Sequence, residues 1–112
     1  MKTLLIGDME RINRLYFWLE KAVITFDIAL IISENDLQSQ HYTCSIEPMD
    51  VLGTVGCEYD IIFICSNFYQ QIRKILLMIG IDKHNILSEY GICHYLPKDD
   101  IMRYYAEYCR ET

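Results

Sequence analysis

The alternation of strand-like and helix-like segments predicts an α/β fold: a half-Rossmann three-layer sandwich with a mostly parallel sheet in the order 3-2-1-4-5. Three observations carry that expectation. The apolar run Thr3-Leu4-Leu5-Ile6 ends in Gly7 and gives way at once to a helical pattern. The segment from Tyr59 to Ser66 is hydrophobic without alternation, as a central strand covered on both faces should be. The chain of 112 residues is 52% apolar, enough to bury one core, and is read as a single domain over 1–112.

The elements follow in order. After Gly7, the residues Ile12, Leu15, Tyr16 and Leu19 recur at helical spacing, with Arg11, Arg14, Glu20 and Lys21 outside, so a helix of about three turns runs to near Ala22. The stretch from Ile24 to Ser33 is rich in β-branched residues, and Ile28 to Ser33 is its buried parallel strand. Gln38, Ser39, Gln40 and His41 read as surface loop, and Tyr42 to Ile46 as a short edge strand. Pro48 opens a single helical turn that Gly53 ends.

Beyond the central strand, Ser66 or Asn67 is expected to cap a helix whose stripe is Phe68, Ile72, Ile75, Leu76 and Ile79. Gly80 followed by Ile81 is the signature of a left-handed C-cap with a hydrophobic partner. A short strand falls at Asn85 to Leu87. A last helix, about 98–110, places Ile101, Tyr104, Tyr105 and Tyr108 on one side, either against the sheet or against a partner subunit.

Composition excludes several classes. A net charge of −6 opposes phosphate-rich partners, so no nucleic acid is expected. The apolar runs are strand-length or interrupted by charge, so no membrane span is expected. The five cysteines are odd in number and include no Cys-x-x-Cys pair, and no signal peptide is read ahead of them; free thiols in a reducing cytoplasm are the expectation, with no metal site.

A sheet of this kind collects ligands beyond the carboxyl ends of its strands. Those ends supply Gly7, Asp8 and Met9; then Ser33, Glu34, Asn35 and Asp36; then Cys65, Ser66, Asn67 and Tyr69. The cofactor-binding candidates are Gly7, Asp8, Met9, Glu34, Asp36, Ser66 and Asn67, with no catalytic residue among them. Glu34 or Asp36 holds the place of a ribose-binding acid, and Ser66-Asn67 could either cap a helix or bond a ribose, phosphate or sugar. Only the first glycine of a dinucleotide signature is present, because Met9 and Ile12 stand where the others belong. Asp8 and Glu10 suit a helix start but oppose a pyrophosphate. At about 4 Å a like-charge pair costs about 1 kcal/mol in water and about 4 at an effective dielectric of 20, against about 0.3–1 from the helix terminus.

Tyr59-Asp60-Ile61-Ile62-Phe63-Ile64-Cys65-Ser66-Asn67-Phe68-Tyr69, continued by Gln71-Ile72 and Leu77-Met78-Ile79-Gly80-Ile81, resembles a pattern of Rossmann-like domains in bacterial polysaccharide biosynthesis. Such domains are similar to the NAD(P)- or nucleotide-sugar-binding parts of sugar dehydratases and epimerases, and to segments attached to FkbM-type methyltransferases and sugar acyltransferases. The resemblance covers most of Lys2 to Leu87. It implies a first-turn role for Gly7, a nucleotide-ribose role for the region from Glu34 to Asp36, and a ligand contact at Ser66 and Asn67. It also implies NAD(P) or a nucleotide sugar as cofactor, and a larger biosynthetic partner. The missing glycines at Met9 and Ile12 depart from the pattern, and no Tyr-x-x-x-Lys pair is present, so a free-standing dehydrogenase or epimerase is not expected. Nor is a phosphate-accepting receiver domain, whose central strand would end in an aspartate where Ile64-Cys65-Ser66 stands.

The function read from the sequence is therefore a degenerate nucleotide- or nucleotide-sugar-binding module or scaffold that is not catalytic alone. Its alternatives are the NAD(P)-binding part of a sugar-modifying enzyme and a homodimeric interaction domain built on an edge strand or the tyrosine helix.

Overall fold

A computed structural model describes residues 1–35 and 42–111, the last four by their backbone alone. Five strands, β1 (Lys2–Gly7), β2 (Asp27–Ser33), β3 (Ser45–Pro48), β4 (Ile61–Cys65) and β5 (Ile86–Ser88), form one sheet in the order β3-β2-β1-β4-β5. Every pairing is parallel, so the sheet is wholly parallel where a mostly parallel one was expected. The strand order is the expected one.

Parallel strands need covering on both faces, and two apolar clusters supply it. On the first face Leu5, Ile31, Phe63 and Cys65 pack beneath α1 (Met9–Leu19) and α3 (Lys98–Glu111). On the second, Leu4, Ile6, Ile32 and Ile64 meet Leu52 of the 3₁₀ helix Met49–Thr54 and Ile72 and Leu76 of α2 (Tyr69–Met78). β1 and β4 are buried almost throughout because neighbouring residues of one strand serve opposite clusters.

Several boundaries differ from the sequence reading. α1 ends at Leu19, three residues short of Ala22, because Ala22 lies in an irregular connection to β2. The edge strand is Ser45–Pro48, shifted past Tyr42, since its hydrogen-bonded register runs from Leu30 opposite Ser45 to Ser33 opposite Pro48. α2 starts at Tyr69 with no side-chain cap bond. Its end behaves as expected: Gly80 has φ 98°, and the N–H groups of Gly80 and Ile81 reach the carbonyls of Leu77 and Leu76.

Two 3₁₀ helices, Lys83–Asn85 and Glu89–Tyr95, flank β5. The second lays Ile92 on the first-face core, and Leu96, just past its end, joins it there. Of the tyrosines on α3, Tyr104 is fully buried against Trp18, whereas Tyr105 is 47% exposed. The Tyr108 side chain is outside the described residues.

Candidate functional site

β1 and β4 are adjacent, and a backbone hydrogen bond joins the chain just past their carboxyl ends. Asp8 N–H donates to the Cys65 carbonyl at 3.0 Å. Gly7, at φ 141°, is what allows this approach: a Cβ there would lie 2.2 Å from the Cys65 carbonyl oxygen. Its glycine character is thus explained by strand-to-strand contact without reference to a phosphate.

The start of α1 is bonded within the chain as well. Asp8 is the N-cap, and its Oδ2 accepts from Arg11 N–H at 3.2 Å. Met9 N–H donates to Asn35 Oδ1 at 2.8 Å, while Ser33 Oγ both donates to the Asn35 carbonyl and accepts from Asn35 N–H. The Met9 side chain is 2% exposed and packs in the first-face core with Leu5 and Ile12. Of the first-turn donors with which a helix terminus would hold an anion, the N–H groups of Met9 and Arg11 have partners already.

Arg11 closes the opening above them. Its guanidinium pairs with the Glu89 carboxylate and donates to Asn67 Oδ1 at 2.9 Å. Glu89 is 1% exposed and begins the 3₁₀ helix after β5, and its carbonyl accepts the Tyr104 hydroxyl at 2.8 Å. A buried carboxylate requires such a partner. Sequence reading misses Glu89 because it does not count the end of the fifth strand in the crevice; an acid just after the short strand expected at Asn85 to Leu87 is the available signal.

The remaining predicted residues divide. Ser66 is buried, and its Oγ accepts from Phe68 N–H at 2.9 Å, turning the chain into α2 from two residues ahead of the helix cap instead of capping it. Asn67 is spent on Arg11 and does not cap α2 either. The thiol of Cys65, beneath them, is held well above its ordinary pKa, first by burial and next by the negative field of Glu89. Asp36 lies outside the described residues.

Glu34 faces a different environment. Its N–H donates to the Gly7 carbonyl at 2.8 Å, and its Oε1 is buried with no hydrogen-bond partner among the described residues. The side chain lines a largely apolar cleft of about 430 Å³ between the Met49–Thr54 3₁₀ helix and α2, with Met49, Leu52, Phe68 and Ile72. A second cleft, of about 500 Å³, opens beside the start of β2 between Tyr16, Phe26 and Tyr42, away from the carboxyl ends of the strands.

Among the described residues Cys44, Cys57, Cys65 and Cys93 are free thiols, and no group of acids, histidines and cysteines is gathered to hold a metal. No described helix is long and apolar enough to cross a membrane. Compared with known proteins, the chain matches no family model, no curated protein and no solved structure.

Proposed function

We propose that this chain is a degenerate Rossmann-like module, not catalytic alone, that acts as a scaffold in bacterial polysaccharide biosynthesis. The observation that supports this reading is the side-chain bridge from Glu89 through Arg11 to Asn67, laid over a helix start where the N–H groups of Met9 and Arg11 already bond to Asn35 and Asp8. A pyrophosphate would have to displace those bonds and approach Asp8, Glu34 and Glu89. The link to polysaccharide biosynthesis rests on the resemblance of Tyr59 to Ile81, and a reducing, cytoplasmic setting suits the free thiols.

A second reading is favoured by one specific observation. The Glu34 oxygen, buried beside an apolar cleft with no partner among the described residues, suits the ribose and base of a nucleotide sugar or NAD(P) whose phosphates stay outside the closed helix start.

Thermal unfolding with NAD⁺, NADP⁺, UDP-sugars, GDP-sugars and coenzyme A separates the two. The scaffold reading expects no shift. A ligand at one hundred times its Kd adds about 2.7 kcal/mol, which in a domain of this size raises Tm by at least 4–8 °C or so. Such a rise, abolished by Glu34→Gln, would replace the first reading with the second.

A further inference from the structure

The cleft of about 500 Å³ lies at the amino end of β2, at the opposite end of the strands from the closed crevice, and has the size of a small-molecule site. Tyr16 and Tyr42 form two of its walls, with ring centroids 5.0 Å apart and planes at 83°. The Tyr42 ring is fixed there by its hydroxyl, which donates to Asn13 Oδ1. Glu20 follows Tyr16 by four residues, so the two side chains stand on one face at the end of α1, and both line the cleft. The Tyr16 hydroxyl is held above its ordinary pKa, first by burial and next by the Glu20 carboxylate. α1 ends here with the negative pole of its dipole and no basic residue in its last turn. Asp27 is the second acid of the walls.

No lysine, arginine or histidine is among the described residues that line this cleft. Lys21, next in sequence to Glu20, is turned to the Phe17 ring, its Nζ 4.7 Å from the centroid. One ammonium is held at the rim: that of Met1 donates to the Thr25 carbonyl at 2.9 Å and lies 3.8 Å from the Asp27 carboxylate. Thr25 and Asp27 both line the cleft, so its walls already accept an ammonium group. Glu20, by contrast, forms no ion pair among the described residues.

A carboxylate without a cation, beside two aromatic rings and a helix carboxyl end, favours positive charge from every side. We propose that this cleft binds a small organic cation of the ammonium class, its charge set against Glu20 and the rings of Tyr16 and Tyr42 and its aliphatic part along Ala22 and Ile24. An anion would meet two carboxylates there. A bare metal ion needs several oxygen, nitrogen or sulfur ligands at contact distance, and no such group is gathered among the described residues. The cleft is separate from the crevice at the carboxyl ends of the strands, so the proposal stands under either reading of that crevice.

Titration with choline at constant ionic strength, followed by amide NMR spectra, tests this. Choline at millimolar concentration is expected to move the amide signals of the cleft walls, Glu20, Thr25 and Cys44 among them, and to leave those of Gly7 and Ser66 in place. Its uncharged isostere, in which a quaternary carbon replaces the nitrogen, should bind about tenfold more weakly or worse. Glu20→Gln, at an exposed position, should weaken choline about fivefold. Tyr42→Leu should weaken it as well, whereas Tyr42→Phe keeps the ring and should bind nearly as wild type does. Choline shifts that are absent or spread over the whole acidic surface, an isostere that binds equally well, or a Glu20→Gln variant of undiminished affinity overturns the proposal. The isostere comparison needs only the wild type, so it decides the matter even if a variant fails to fold.

Discussion

Arg11 and Glu89, 78 residues apart, form an ion pair in which the carboxylate is 1% exposed and the guanidinium 25%. The unequal burial sets unequal consequences. Arg11→Ala would strand a buried carboxylate and should lower stability by about 3–5 kcal/mol, whereas Glu89→Ala leaves a cation with Asn67 and water at hand and should cost less. Arg11→Lys should recover only part of the loss, since an ammonium lacks the guanidinium fork that reaches both partners. Urea unfolding of the three variants checks the order; equal losses for Arg11→Ala and Glu89→Ala would refute it.

Gly7→Ala should be among the most damaging small substitutions in the chain. The added methyl meets backbone, the Cys65 carbonyl at 2.2 Å, so no side-chain adjustment can relieve it, and the positive φ adds strain. Separation of β1 from β4 is the only escape, and a loss of about 3 kcal/mol or more is expected by denaturant titration. Gly80→Ala is the control. Its φ is also positive, but nothing lies within 4 Å, so it should cost about 1 kcal/mol.

Met9→Gly would bring the first turn closer to a dinucleotide signature, yet the structure predicts loss of fold stability and no gain of ligand. Met9 is 2% exposed in the core, and its removal costs about 2–5 kcal/mol for the cavity. Tm should fall with and without NAD⁺. A variant that bound NAD⁺ would show that the bonds from Asn35 and Asp8 yield readily.

Alkaline pH should weaken the protein in two stages. The unfolded Cys65 thiol ionises near its ordinary 9.0, while burial keeps the folded thiol protonated well beyond that; the folded state then holds more protons, and stability falls as pH rises past about 9. Tyr42 repeats this higher up, its hydroxyl pushed by burial from 10.0 to about 12, with Tyr16 and Cys44 contributing. Stability from both groups is complete at neutral pH. A Tm series should show Tyr42→Phe flatter than wild type between pH 10 and about 12, and an unchanged slope would remove Tyr42 as the cause.

What the sequence made legible depended on the distance over which each feature is determined. β1 and β4 announce themselves because each residue of Leu4-Leu5-Ile6 and Ile61 to Cys65 must be apolar for one face or the other. Gly80 and Ile81 form a local cap and were readable for that reason. The 3₁₀ helix Glu89–Tyr95 has no 3.6-residue repeat to betray it, and Ser66 resembles a cap because the turn it makes is chemically similar. The crevice was legible in its strand ends and illegible in its closure, since neither Arg11 nor Glu89 carries a local sign of the other.

The bond from the Tyr104 hydroxyl to the Glu89 carbonyl ties α3 to the crevice, and the Trp18 indole N–H to Glu107 ties it to α1. Detaching α3 would therefore uncover the residue that holds Arg11 down. Amide hydrogen exchange should register these segments as one cooperative unit, with the backbone of α3, the 3₁₀ helix after β5 and the first turn of α1 losing protection together.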